Sequence, residues 1–321
     1  MKIVIPGGSG QVGTILARAF HNDGHDVVVI SRKATHGKWA TVGWDGENLG
    51  HWADEINGAD VVINLAGRSV NCRYTEKNCR EIIDSRVKST RVVGEAIARA
   101  RHPPRVWLQA STATIYSHRF DAPNDDISGT IGGDEKGAPK KWQFSIEVAT
   151  KWERAANEAK TPNTRKVLMR SAIVLSPDHG GIFDTLLGLV RRGLGGTVGS
   201  GEQYVSWIHD KDFVRAINWL IENEDLSGPV NLAAPQALTN RDFMRILRDV
   251  WGTSYGLPAT NFILEIGAFL MRTETELVLK SRRVAPRRLL DSGFAFEFEL
   301  WEHAATDLCR RWREHQREEN E

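Results

Sequence analysis

Ile3-Val4-Ile5-Pro6-Gly7-Gly8-Ser9-Gly10-Gln11-Val12-Gly13 joins three apolar β-formers to a glycine-rich turn. Val12, Ile15, Leu16 and Ala19 then follow at helical spacing. The glycines satisfy both G-x-x-G-x-x-G and G-x-G-x-x-G. A turn that brings backbone against a pyrophosphate needs residues without a Cβ. The helix behind it offers unpaired N–H groups and the positive end of its dipole. The alternative is an ordinary tight turn. Its place between a β-branched strand and an amphipathic helix favours a dinucleotide site over Gly7, Gly8, Ser9, Gly10, Gln11, Val12 and Gly13.

Working outward, Val27 to Ile30, Val61 to Leu65, Val106 to Gln109 and Val167 to Met169 are further short runs that read as buried strands. Helical patterns such as Val92, Val93, Ala96, Ile97 and Ala100 lie between them. Strand, helix and strand at this cadence predict an α/β fold, a Rossmann-type doubly wound parallel sheet. Past about residue 175 the rhythm breaks into glycine-rich segments, with helices expected over Lys211 to Asn223 and Thr239 to Val250. The division expected is a dinucleotide-binding domain over 1–175, with sheet and helices returning around 205–235. A smaller, discontinuous C-terminal substrate lobe covers 176–204 and 236–313, and the tail at 314–321 is expected to fray.

The chain has 321 residues, 41% hydrophobic and 26% charged, with Lys plus Arg 42 against Asp plus Glu 41, a net charge of +1. That composition suits a packed core and argues against a protein that coats nucleic acid. The basic run Arg282, Arg283, Arg287 and Arg288 is split by Pro286 and reads as a solvated face. Cys72, Cys79 and Cys309 have neither metal-site spacing nor an even count, which fits free thiols in a reducing, cytoplasmic setting. No signal peptide is expected from an apolar run as short as Ile3 to Ile5. Phe262 to Met271 is interrupted by Glu265 and falls well short of the roughly 20 residues of a spanning helix, so no membrane partner is expected.

At the end of the second strand an NAD site usually carries an acidic residue for the ribose 2′-hydroxyl. This chain has Ser31, Arg32 and Lys33. A hydroxyl and two cations suit a 2′-phosphate, so NADP(H) is favoured over NAD(H). The alternative is a pair of solvated loop cations.

With these residues the chain resembles the extended short-chain dehydrogenase/reductase superfamily, of the NAD-dependent epimerase/dehydratase type. Asp60 to Gly67, Ser85-Arg86-Val87, Lys151-Trp152-Glu153, Gly195 to Gly201 and Trp207-Ile208-His209-Asp210 narrow the resemblance to an atypical epimerase subfamily. Val284 to Phe294 resembles the small C-terminal domain of unknown function in that subfamily. The resemblance implies pyrophosphate contacts at Gly7, Gly10 and Gly13, with Ser31 and Arg32 at the 2′-phosphate. It also implies Leu65, Ala66 and Gly67 beside the nicotinamide-side ribose, Glu81 and Arg86 lining the cofactor, and Val174 near the nicotinamide. Leu65, Ala66 and Val174 would be buried in any case, and Glu81 with Arg86 could be a surface ion pair. The superfamily is compatible with a homodimer, although the sequence shows no interface signature.

The resemblance breaks at the catalytic dyad. Most of the superfamily uses Tyr-x-x-x-Lys, in which the cation lowers the phenol pKa for proton transfer. None of the four tyrosines here has Lys at i+4, and Phe144 and Val148 fall at the two dyad positions. The superfamily's strand-end hydroxyl matches Thr112, with Ser111 beside it, and Tyr116 is a candidate replacement acid. Two hydroxyls capping a strand end and a core tyrosine are the competing readings. Glu147 and Lys151 share spacing with Phe144 and Val148 as substitute acid/base candidates, or form a solvated pair. Asp212 reads as a helix cap and His209 as structural. Gln203, Tyr204 and Trp207 could line the substrate lobe or pack its core.

The function expected is an NADP(H)-dependent epimerase, dehydratase or reductase acting on a small hydroxylated or carbonyl substrate, without the usual dyad. A non-catalytic NADP(H) sensor is the alternative.

Overall fold

The computed structural model describes residues 1–33, 37–135, 139, 142–259 and 276–318. The apolar segment Phe262 to Met271 lies outside the described residues.

The strands in chain order are β1 (Lys2–Pro6), β2 (Asp26–Ser31), β3 (Ala40–Gly43), β4 (Val61–Asn64), β5 (Val106–Thr112), β6 (Asn124–Asp125), β7 (Arg165–Ser171), β8 (Ile173–Leu175), β9 (Tyr204–Val205), β10 (Trp207–His209), β11 (Gly228–Leu232), β12 (Leu238–Thr239) and β13 (Val284–Ala285). The main helices are α1 (Gln11–Asn22), α2 (Glu76–Arg99), α3 (Gln143–Glu158), α4 (Ile182–Arg191), α5 (Asp210–Glu222) and α6 (Asn240–Trp251), before a C-terminal helix, Trp301–Glu318.

Seven strands form one sheet in the order β11-β7-β5-β4-β1-β2-β3. Every pairing in it is parallel. The order runs outward from β1 in both directions, so the chain switches side between β1 and β4 and opens a crevice at their carboxyl ends. Period-2 alternation divides the strand residues between two layers: Ile3 and Ile5 join one core cluster and Val4 the other. Pro229 is tolerated in β11 because that strand lies at the sheet edge. The short strand β3 at the opposite edge carries only partly buried or exposed side chains, which is why no apolar run marked it.

A second core lies outside the sheet, around Trp207, Phe243, Trp301 and Leu308. The rings of Phe243 and Trp301 stack 4.1 Å apart and nearly parallel. Burial of such large side chains, each worth about 1.5–3 kcal/mol, anchors the C-terminal helix against α6. That helix continues through Glu318. Arg310 pairs with Glu314 and Trp312 Nε1 donates to Asp184 Oδ1 at 2.8 Å, so the expected tail at 314–321 begins within this helix. Ahead of that helix, β13 pairs with β6 in a separate two-stranded parallel sheet.

Candidate dinucleotide site and the surrounding cleft

Gly7 sits at φ +78°, and a Cβ there would stand 2.5 Å from the Ala66 amide nitrogen and 2.7 Å from the Leu65 carbonyl carbon. Turn and β4 end are thus in direct backbone contact. A Cβ on Gly13 would stand 2.4 Å from Gly8 Cα, so α1 packs on the turn itself. At Gly10, in contrast, the nearest atom is 3.8 Å away. Gly10 caps α1 without a side-chain hydrogen bond, and the first turn has no acidic residue. Its N–H groups are left for an outside acceptor, as a pyrophosphate requires. Gln11 adds a buried Nε2 without a hydrogen-bond partner among the described residues, pressed against Gly181 at the start of α4. Residues of these types, with donors unspent, fit a dinucleotide phosphate.

At the end of β2 the structure divides the roles. Ser31 is buried and donates its hydroxyl to the Lys33 carbonyl at 2.6 Å. Its proton is spent on shaping the turn, while Arg32 and Lys33 are exposed.

At the end of β4, Asn64 bridges to Gln109 Oε1 at 2.9 Å and accepts from the Ala66 N–H at 3.1 Å, which sets the path through Leu65, Ala66 and Gly67. Glu81 and Arg86 do not pair with each other. Glu81 pairs with Arg68, which also donates to Asn78 Oδ1 at 3.0 Å. Arg86 packs on Gly67, donates to the Arg68 and Ile82 carbonyls and lies 4.9 Å over the Trp152 ring. Desolvation lowers its pKa to about 10, offset in part by Tyr74 and Cys72. No described carboxylate pairs with it. A desolvated guanidinium without a paired carboxylate has the charge and donors to hold an anion. Val174, on β8, is buried in the core cluster that also holds Ile3 and Ile5, with Leu65 packed against it.

The strand-end hydroxyls behave differently from one another. Ser111 is buried and donates to Glu153 Oε1 at 2.6 Å. Glu153 accepts both arms of Arg170 at 2.8 Å, and Arg170 also donates to the Tyr116 hydroxyl at 3.0 Å. Tyr116 donates in turn to Asn231 Oδ1 at 2.9 Å. Burial raises the Tyr116 pKa against the opposing effect of Arg170. The structure therefore places Ser111 and Tyr116 in a closed buried network. Thr112 is half-buried and accepts from the Thr114 N–H at 3.1 Å, which leaves its own proton without an acceptor among the described residues.

On α3, Val148 is buried and Phe144 half-buried, whereas Glu147 and Lys151 are exposed and bond each other at 2.6 Å. Those two form the solvated pair, on a different face from Val148. Sequence spacing missed what surrounds Phe144. Tyr74, just ahead of α2, meets its ring edge-on at 4.8 Å. Ser145 donates to Glu276 Oε2 at 2.7 Å, and Arg282 donates to the Glu276 carbonyl at 3.4 Å and to Thr114 Oγ1 at 3.1 Å. Buried Lys280 donates to the Thr114 carbonyl at 2.9 Å. Glu276, Lys280 and Arg282 are thus tied to the start of α3 and to the Thr114 turn after β5, although nothing in their sequence spacing announces it.

Other expectations need correction. Arg282, Arg283 and Arg288 are not a solvated face: each spends guanidinium protons on backbone carbonyls, those of Lys280, Phe120 and Ser227 among them. Asp212 does not cap α5. Its carboxylate accepts from the Glu297 and Phe298 N–H groups, because His209 already caps the helix by accepting from Lys211 N–H at 3.2 Å. His209 is fully buried, stacked on Phe298 and bonded to Asp307 at 3.1 Å. Trp207 packs on Trp301 in the second core, and Tyr204 carries Arg283 over its ring. Gln203 is buried and donates to the Val198 carbonyl at 2.9 Å. Among the described residues no group of His, Cys, Asp or Glu could hold a metal ion, and no helix is long and apolar enough to cross a membrane.

The model of the NAD dependent epimerase/dehydratase family matches residues 3–233, and that of a domain of unknown function, DUF1731, matches 259–308. The human epimerase family protein SDR39U1 is 31% identical over 301 residues, 93% of this chain and 96% of its own. Epimerase family protein YfhF of Bacillus subtilis is 29% identical over 316 residues, 96% and 98% of the two chains. A crystal structure of human SDR39U1 with NADPH superposes with a TM-score of 0.82 at 28% identity, covering 97% of this chain and 99% of that one. A nucleoside-diphosphate sugar epimerase from Corynebacterium glutamicum gives 0.74 at 27%, over 97% of this chain and 58% of the other. The glycine turn at β1, the switch between β1 and β4 and the matched span agree: the chain belongs to the NAD-dependent epimerase/dehydratase family.

Proposed function

We propose that this protein binds NADP(H) and moves hydride between its nicotinamide and a small carbonyl or hydroxylated substrate, as a reductase, epimerase or dehydratase. The observation that carries this reading is the uncapped start of α1 over a turn too tight for any Cβ at Gly7 or Gly13. The glycine turn would hold the pyrophosphate, Gln11 would donate to it from the side, and Arg86 would neutralise it from the α2 side. Arg32 and Lys33 would hold the 2′-phosphate on the turn that Ser31 shapes. The human relative solved with NADPH supports the choice of cofactor. When bound, the dinucleotide supplies the hydride. Thr112, with an unspent proton at the end of β5, would orient the substrate oxygen.

A panel of aldehydes, ketones and keto sugars, followed by loss of NADPH absorbance, tests this. Thr112→Ala should cut turnover far more than it weakens NADPH binding. Equal losses in both would count against a substrate-binding Thr112. A cofactor that binds yet stays unreacted across the panel, while altering association with a partner protein, would favour the sensor reading.

A further inference from the structure

Phe144 leaves the cleft without a phenol on α3, but a phenol lies against it from another element. The Tyr74 ring meets that of Phe144 at 4.8 Å and 65°. Its position is fixed by the start of α2, where the next residue, Thr75, caps the helix by accepting from the Asn78 N–H at 3.2 Å. Among the described residues, the guanidiniums of Arg86 and Arg282 lie within electrostatic reach of Tyr74. Arg86 packs on Gly67, next to the backbone contact between Ala66 and Gly7. Arg282 bonds Thr114, whose amide in turn bonds the Thr112 hydroxyl. Tyr74 therefore interacts with one cation that packs beside the glycine turn and with another that bonds the turn after β5. Among the described residues, the Glu276 carboxylate acts on Arg282 and the Cys72 thiol on Arg86. Tyr116 is sealed in its network, and Tyr204 serves as a platform for Arg283.

We propose that the Tyr74 hydroxyl delivers the proton to the substrate carbonyl oxygen, with Arg86 and Arg282 taking the electrostatic part that a lysine plays in the usual dyad. In the reductive direction the Tyr74 O–H bond breaks and its proton goes to the carbonyl oxygen as hydride from NADPH forms the new C–H bond. The products are an alcohol, NADP⁺ and the Tyr74 phenolate, which water reprotonates. Nearby cations favour the phenolate and so lower the cost of the transfer. The inference rests on the NADP(H) reading above and adds the acid that the reading lacks.

Two measurements on the full-length protein test it. In the first, phenolate absorbance is followed against pH for wild type and Tyr74→Phe, with NADPH, with NADP⁺ and without dinucleotide. The difference between the two proteins isolates Tyr74. Its midpoint should fall when the positively charged oxidised nicotinamide binds, should respond little to NADPH, and should rise in Arg282→Gln. In the second, NADPH oxidation is measured with methylglyoxal, diacetyl and phenanthrenequinone. With any of these that wild type turns over, Tyr74→Phe should lose about 10²–10⁴-fold in kcat at unchanged NADPH affinity. If both dinucleotides bind and the Tyr74 midpoint ignores which one is present, the proposal is overturned and the NADP(H) reading stands. Full turnover in Tyr74→Phe overturns it equally. If neither dinucleotide binds, both readings fall together.

Discussion

Gly7 and Ala66 are in backbone contact so close that a single added methyl group would sit 2.5 Å from the Ala66 amide nitrogen. This contact joins the glycine turn after β1 to the end of β4, the two strands between which the sheet order reverses. The crevice therefore has no slack on this side. Gly7→Ala should cost about 1–2 kcal/mol from the left-handed backbone alone, and more from the clash, because neither partner is a flexible side chain. Thermal unfolding should show a lowered Tm, and NADPH titration of the folded fraction should show weakened binding. A variant that kept both would mean that the turn can relax away from Ala66.

Glu153 and Arg170 form a buried bidentate pair that also holds Ser111 and Tyr116. Removing one charge leaves the other uncompensated inside the protein. Arg170→Met should destabilise by about 3–5 kcal/mol, against about 1–3 kcal/mol for Tyr116→Phe, which orphans only hydrogen bonds. Urea denaturation ranks the two. The opposite order would remove Arg170 from the centre of the network.

Lys280 is 1% exposed, and burial lowers its pKa to about 8 from the ordinary 10.5. Between these values the unfolded chain binds more protons than the folded one, so stability rises with pH across that window. The penalty for holding a buried ammonium is complete below about pH 8 and is relieved toward 10.5. Relative to Lys280→Met, wild type should gain on the order of 3 kcal/mol from pH 8 to 10.5. Unfolding free energies at the two ends of the window, measured for both proteins, check this. A flat difference would place the ammonium in contact with solvent.

Asp307 gives the opposite dependence. Burial pushes its carboxyl upward, yet hydrogen bonds from His209 and Arg310 outweigh that and hold it well below the ordinary carboxylate range. Its contribution to stability is full above the ordinary carboxylate pKa and is lost as pH falls toward the depressed one. The Asp307→Asn variant should therefore be less stable than wild type at neutral pH, and the gap should narrow under acid. A gap independent of pH would mean that Asp307 acts through packing alone.

The sheet was legible because its buried strands are contiguous apolar runs and its glycine turn has a steric cause that one stretch of sequence can display. Edge strand β3 has no such run, since one side of it meets solvent. The place of Thr112 and of the glycine turn at strand ends is visible in the sequence. For Ser111 and Tyr116 the sequence leaves a catalytic and a structural reading open; their partners Glu153, Arg170 and Asn231 come from three other elements, and only the fold shows them committed. The same holds for Tyr74 and Arg282: they lie more than 200 residues apart, and no spacing rule spans that distance. Asp212 was misread because its local context resembles a cap while its acceptor capacity is taken by Glu297 and Phe298.

The claim on which the rest depends is that the turn at Gly7 to Gly13, with Arg32 and Lys33, selects NADP(H). Titration with NADPH and NADH, read by quenching of the 11 tryptophans and energy transfer to the reduced nicotinamide, tests it directly. NADPH should bind tightly and NADH weakly, and Arg32→Glu should narrow the difference mainly by weakening NADPH. Equal affinity for the two would contradict the 2′-phosphate assignment, and binding of neither would contradict the dinucleotide site itself.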